Sequence, residues 1–468
     1  DMTSSLVGSE MCIRDRYTYD SYGNKTSWKD ANGNITTYTY DACNNLIQEK
    51  NPLNQVTTYT YDASNRLISI TDALNHTTSM EYDAVGRVIT VEDALGNETE
   101  TEYDANGNVL AVIDALGNRT ETTYDACNLI TKETDALGNE KTYTYNAIGL
   151  LTKQTDELDQ ETTYTYDANQ QLSSVLDALE GTSTQTYNAM GSILSMTGPT
   201  GAGTSYQYDI ANRLTQETTP SNGTIQYGYN ELNLQSEITN ARGQERTYTY
   251  DLAGRMTGYT SPEGNASYTY DANGNVLTAT DSNGTITRTY DACNRVTSYT
   301  DVNQNTITYT YDTVGNLSSI KYPDQTVVTY TYDAANRLIQ VTDWNQRVTT
   351  YTYDATGNLT QTVRPDGSIL TQTYDAEGRL LTMIDKKSNG TKISEYSYTY
   401  NAKGLLTTET ANVDGIAYTM TYDSLGRVLT RVEETLSTHT TKTETYTYDA
   451  AGNITSFTSG NESGTMGY

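Results

Sequence analysis

The stretch YTYDANGNVLTATDSNG, residues 268–284, holds two Asp-x-x-Gly tetrads, a Tyr-Thr-Tyr before the first and a short apolar run between them. In a strand, residues two apart share a face, so Tyr268 and Tyr270 point one way and Thr269 the other. Asp271 first and Gly274 fourth is the signature of a type I turn closed by a left-handed residue, a common hairpin loop. The Asp side chain accepts backbone amides within such a turn, and Gly takes the left-handed step without a Cβ penalty. Val276 then opens a second strand, and Asp281 with Gly284 marks the next turn. The segment reads as two turns and two strands.

The same phrase is written along the whole chain. A Tyr followed by Asp or Asn recurs from Tyr19 to Tyr448 in 21 copies, spaced by 21 residues through Tyr250, by 20 or 21 through Tyr374, then by 26, 22 and 26. Counting the Asp as position zero, it is Asp in 17 copies and Asn in four (Asn146, Asn188, Asn230 and Asn401). The fourth turn residue is Gly in thirteen copies and Asn in seven, with Gln170 the exception. An aliphatic residue follows at position +5 in nineteen, as at Leu67 and Val109. The copy Tyr374, Asp375, Gly378, Leu380 repeats the roles of Tyr270, Asp271, Gly274 and Val276. Second turns recur about ten residues on, as DALG at 93–96, 114–117 and 135–138, and with Pro as SPEG at 261–264 and RPDG at 364–367.

These repeats predict an all-β chain, an antiparallel hairpin meander. Roughly 42 strands at ~4.8 Å spacing give a strip about 200 Å long. Twist and bulges curl such a strip into part of a hollow shell or barrel, too wide for side chains to fill. Tyr pairs such as Tyr38 and Tyr40, or Tyr351 and Tyr353, are expected to stack laterally. The longer units after Tyr374 are expected to place extra loops on one rim.

Composition agrees with a thin wall. The 468 residues include 42 Tyr, one Phe, 34 Gly and six Pro, and no sustained apolar helical stripe exists. A net charge of −30 repels phosphate backbones, which argues against a nucleic-acid partner and suits a solvated, extended surface. No stretch reaches the ~18 apolar residues of a membrane span. Cys43, Cys127 and Cys293 occupy one shared turn position, without C-x-x-C spacing or a Cys/His cluster, so neither a disulfide framework nor a zinc site is expected. Residues 1–16, including Cys12, do not match the repeats. Their EMCIRDR resembles a translated transposase adapter from shotgun library preparation, so they are read as a non-native assembly scar. The array then occupies 17–468 and is expected to be a fragment cut at both ends.

At RPDGSILTQTYDAEGRL, 364–380, and YPDQTVVTYTYDAANRL, 322–338, the chain resembles the Rhs/YD-repeat family, over residues 17–468. Its members include bacterial Rhs and wall-associated polymorphic toxins, the encapsulating component of Tc toxins, and the teneurins. The resemblance implies a β-strip spiralling into a shell that encloses a C-terminal toxin held inactive until delivery. The family's active parts lie outside the repeats, in an Asp-Pro-rich core segment and the toxin itself. No Asp-Pro dipeptide occurs here, so no catalytic residue is carried over.

Catalysis is not expected from the residues either. General acid–base work needs one carboxylate pair in a pocket, whereas these Asp recur with the repeat and interchange with Asn. His76 and His439 sit in or near second turns of distant repeats. EF-hand spacing and Gly-rich phosphate loops are absent, so neither metal nor cofactor is predicted. Trp28 and Trp344 lie near second turns and are read as packing residues. The expected function is a non-enzymatic piece of the shell of a secreted or surface-delivered bacterial toxin. Its expected partner is the toxin cargo or plug domain of the full protein, and its location extracellular. The alternative is a surface adhesin that contacts glycan or protein through exposed Tyr and Trp.

Overall fold

The computed structural model describes residues 15–460 and 462–466, so the leader, apart from Asp15 and Arg16, lies outside the described residues. Among those described, 43 strands of four to nine residues form one open antiparallel sheet, with no helix. Strand joins strand in chain order: Gly264–Tyr270 pairs with Met256–Ser261 on one side and Val276–Asp281 on the other. The chain divides into two compact units. One comprises 1–81, 92–95 and 225–346; the other comprises 82–91, 96–224 and 347–468. Each is built from an early and a late run of the strip.

The first turns follow the tetrad reading. Gly274 N–H donates to the Asp271 carbonyl at 3.2 Å, and Asp271 N–H donates to the Asn275 carbonyl at 3.0 Å. The register slips between Thr269 and Tyr270, leaving a bulge that turns the strand. All 21 fourth residues have positive φ, from Gly315 at +104° to Asn336 at +60°, and Gln170 is held there at +66°.

Several second turns depart from that form, among them four-residue loops at 412–415 and 436–439. SPEG and DSNG are two-residue hairpins, in which Ser261 pairs directly with Gly264 and Asp281 with Gly284. Each lies in a 20-residue unit. Loss of one residue turns the three-residue bulged loop into a tight one, which accounts for the short spacing of Tyr250, Tyr270 and Tyr290. The glycines then sit at φ +146° and +134°, a region only Gly enters readily. A Cβ on Gly284 would stand 3.1 Å from Val302 Cβ, whereas one on Gly107 (φ +94°) would meet nothing within 4 Å. Gly284→Ala is therefore expected to lower local stability by about 2–3 kcal/mol and Gly107→Ala by about 1 kcal/mol. Amide hydrogen exchange across each hairpin measures both; equal effects would refute the distinction.

The long units extend strands, not loops. Leu380–Lys386 and Lys392–Tyr400 run seven and nine residues, and their turn keeps the ordinary form, with Gly390 N–H on the Lys387 carbonyl. The five added residues of this unit widen the strip locally, where extra rim loops were expected.

No side chain among those described is fully buried. Only Ala111, Val328 and Ala411 fall in the buried apolar class. Along the Tyr-bearing strands burial alternates, with Tyr268 and Tyr270 half-buried and Thr269 exposed. The strip has a more sheltered and a wetter face, but no thick core. The lateral ring stacking expected of the tyrosines does not form. The described ring pairs are Tyr17–Tyr19, Tyr396–Tyr398 and Tyr322–Trp344, the first two within one strand. An intervening strand holds successive Tyr strands roughly 10 Å apart, too far for rings to meet.

Candidate functional site: the Tyr-Asp turn joint

With no thick core, side-chain bonds at the turns add to the backbone ladder that joins the strands. In the copy at 423–427, Asp423 Oδ1 accepts the amides of Leu425 at 3.0 Å and Arg427 at 2.9 Å. Its Oδ2 takes Arg427 Nε at 2.6 Å. The same Arg reaches the next copy, donating from Nη1 to the Asp449 carbonyl at 3.1 Å and lying 4.6 Å above the Tyr448 ring. Arg87, Arg255 and Arg379 span to the following copy in the same way, on Tyr103, Tyr270 and Tyr400. Where position +4 is Asn, its amide takes over the Oδ2 contact, as Asn275 does on Asp271 at 2.8 Å.

Tyr closes the link backwards. The Tyr270 hydroxyl donates to the Met256 carbonyl at 2.6 Å and that of Tyr374 to the Leu359 carbonyl at 2.8 Å. The Val276 carbonyl receives Tyr290, and that of Leu380 receives Tyr400. The +5 residue thus supplies a backbone acceptor to the next copy's Tyr. Most joints are tied in this way to the copies beside them, and the ties form a rail along much of the strip.

The structure brings Tyr270, Asp271, Gly274 and Val276 into one joint, and Tyr374, Asp375, Gly378 and Leu380 into another. Tyr268 stands opposite Ala279 on the adjoining strand. Asp281 and Gly284 belong to the tight hairpin, where Asp281 Oδ1 accepts the Asn283 amide at 2.7 Å. Position +4 was not singled out from sequence, although a signal was present. All fifteen copies with Arg or Asn there have Asp at zero, and all four copies with Asn at zero have Leu or Ser at +4. A donor at +4 needs the second carboxylate oxygen, which an amide lacks.

This wiring sets the chemistry of the carboxylates. Burial pushes Asp271 and Asp423 up, but hydrogen bonds from Asn275 and Asn32, and from Arg427, outweigh it and hold both below the ordinary Asp range. At Asp62 the Arg66 amide is the largest influence, again downward. Every Asp or Glu with a resolved shift among the described residues moves down, the opposite of a general acid at neutral pH. His76 Nδ1 lies 3.1 Å from Asp72, within its own turn, and His439 is exposed beside Glu434. Trp344 packs edge-on against Tyr322 at 6.3 Å. Among the described residues no three His, Cys, Asp or Glu cluster as metal ligands, and no helix is long and apolar enough to cross a membrane.

Comparison with known proteins places this architecture. The teneurin YD-shell profile matches in overlapping segments from residue 4 to 441. The crystal structure of TcdB2-TccC3 superposes with a TM-score of 0.75 at 15% identity, over 95% of this chain and 32% of that one. The Photorhabdus luminescens Tc holotoxin pore (TccC3-D651A) gives 0.75 at 14%, over 96% and 34%. This chain spans about a third of the length of those structures. No curated protein matches it. Profile, repeat and fold agree: the chain belongs to the teneurin YD-shell family.

Proposed function

We propose that this chain is a wall segment of an encapsulating shell, a non-enzymatic part of a secreted or surface-delivered bacterial toxin of the Rhs type. The observation that carries this reading is the rail of joints: the strip is stabilised along its own length, so it can surround a space without filling it. The carboxylates are committed to turn amides, to Asn and to Arg, which leaves them structural. Similarity in fold to the TcdB2-TccC3 structures supports the same role. The partner is then a C-terminal toxin or plug domain of the full protein, enclosed by the shell and released outside the producing cell.

The test uses the full-length gene product. Limited proteolysis of the folded protein is expected to spare the region C-terminal to the repeats, and loosening the shell with mild denaturant to expose it. Digestion of that region at equal rates in both conditions would exclude containment. Specific retention of the folded protein on a glycan array would favour an adhesin instead.

A further inference from the structure

Within each unit the early and late runs meet turn against turn, and the same turn position makes the contact. In the first unit two identical pentapeptides, DANGN at 30–34 and at 271–275, interlock reciprocally. Asn32 Nδ2 donates to Asp271 Oδ2 at 2.9 Å, and Asn273 Nδ2 donates to Asp30 Oδ2 at 2.7 Å. Asn32 N–H donates to Asn273 Oδ1 at 3.0 Å, and Asn32 Oδ1 accepts the Ala272 amide at 3.1 Å. Asn32 and Asn273 are the third residues of their turns, and Asp30 is only 7% exposed.

Two further contacts follow the same rule in the second unit. The Ala136 amide donates to Glu377 Oε1 at 2.7 Å, where Glu377 is a third residue. Lys403, also a third residue, pairs with Asp156 at 2.7 Å. In the first unit the Leu53 backbone lies near enough to the Cys293 thiol to influence it, third residue beside third residue, while the Leu53 amide itself donates to Asn51 Oδ1 at 3.0 Å. The turns at Asp72 and Asp312 line one cleft. The offset varies little: 241 residues separate Asn32 from Asn273 and Ala136 from Glu377, 240 separate Leu53 from Cys293, and the long unit after Tyr374 stretches it to 247 between Asp156 and Lys403.

Sequence at this position divides along the same line. The third residue of the second turn is Leu in seven successive turns from Leu53 to Leu179, then Asn or Asp in seven successive turns from Asn283 to Asp414. Apolar tips occupy the early run's second turns, which meet first turns of the late run in the contacts above, and polar tips occupy the late run's second turns, which make none of those contacts. Exposure responds to contact: Val85 in a first turn is 77% exposed, whereas Val314 in the equivalent place, beside the turn at Asp72, is half-buried.

We propose that the third residue of each turn is the recognition position through which one run of this strip docks on another, in a register of 240–241 residues that lengthens to 247 past the long unit after Tyr374. Polar pairs (Asn with Asp, Lys with Asp) specify which turns meet, and the apolar tips flank them. The proposal stands whether or not the strip encloses a cargo.

Cys293 provides the test. In protein with Cys12, Cys43 and Cys127 replaced by Ala, Leu53→Cys is expected to form a disulfide with native Cys293 under mild oxidation, in most chains and without loss of β signal. Peptide mapping identifies the bond. Leu74→Cys, one unit away, should remain reduced unless Val314→Cys is also introduced. Adding Asn32→Ala and Asn273→Ala to the Leu53→Cys protein is expected to slow cross-linking several-fold. Cross-linking of Leu74→Cys to Cys293 as fast as that of Leu53→Cys would overturn the register. A Leu53→Cys protein that stays reduced while folded, or a rate indifferent to the two Asn, would overturn the docking role.

Discussion

Raised through pH 10, the protein is expected to keep Tyr61, Tyr270, Tyr374, Tyr400 and Tyr422 protonated past the usual Tyr midpoint, then to release their protons and its β-structure together at higher pH. The direction follows from the joints. Burial pushes the phenols of Tyr61, Tyr270, Tyr374, Tyr400 and Tyr422 above the ordinary Tyr range, and each donates its proton to a backbone carbonyl that loses its partner on ionisation. A group whose folded pKa is raised contributes stability that is complete below its unfolded pKa and is lost as pH rises through the folded one. The chain's net charge of −30 adds repulsion in the same direction. Acid acts through the carboxylates with the opposite sign. Asp30, Asp271, Asp354 and Asp423 are held low in the fold, so their contribution is complete above about pH 4–5 and is lost as pH falls through their folded values. Tyrosinate absorbance and circular dichroism, recorded together from pH 3 to 12.5, test both flanks. Phenols titrating near pH 10 with unchanged dichroism would refute the alkaline half.

Asp423→Asn is expected to cost about 2 kcal/mol with Arg427 in place and less than about 0.5 kcal/mol in an Arg427→Leu background, while Asp423→Ala costs about 3 kcal/mol in the native background. In the native joint Asp423 is only 9% exposed and takes two amides on one oxygen and the guanidinium on the other. An amide retains the first pair of bonds, as Asn401 does with the Leu405 amide, but turns a donor or an already engaged oxygen toward the Arg. Leu at 427 removes that conflict and reproduces the Asn-zero, Leu-four combination of the copies at Asn146, Asn230 and Asn401. Because repeat arrays open locally, the readout is hydrogen exchange in 417–435. Additive effects of the two substitutions would show that positions zero and +4 are independent.

Much of this architecture is legible in one dimension, since a local turn leaves a local trace. Asx at zero and Gly or Asn at three positions on are demanded by dihedral angles and nearby amides, and so they recur visibly. Even Gln170, the odd residue out, takes the left-handed conformation. The +4 position was harder to read. Arg, Asn and Leu there look like noise until each is set beside its own position zero. The ring ladder was misread because Tyr recurs on every other strand; alternation along a strand gives the face but not the distance to the next ring. DSNG was grouped with DALG by composition, although one missing residue changes the hairpin class. Least legible was the meeting of turns some 240 residues apart in sequence. Periodicity makes all turns alike, and the change from Leu to Asn or Asp at third residues is its main sequence trace.

The joints make almost all of their bonds within one copy or to its immediate neighbours. Loss or gain of a whole copy therefore opens no cavity and strands no buried charge. Unequal recombination between neighbouring copies in the gene would add or remove complete joints in frame. Selection can then adjust the length of the strip by copy number, while the turns that meet across runs exchange partners by whole steps.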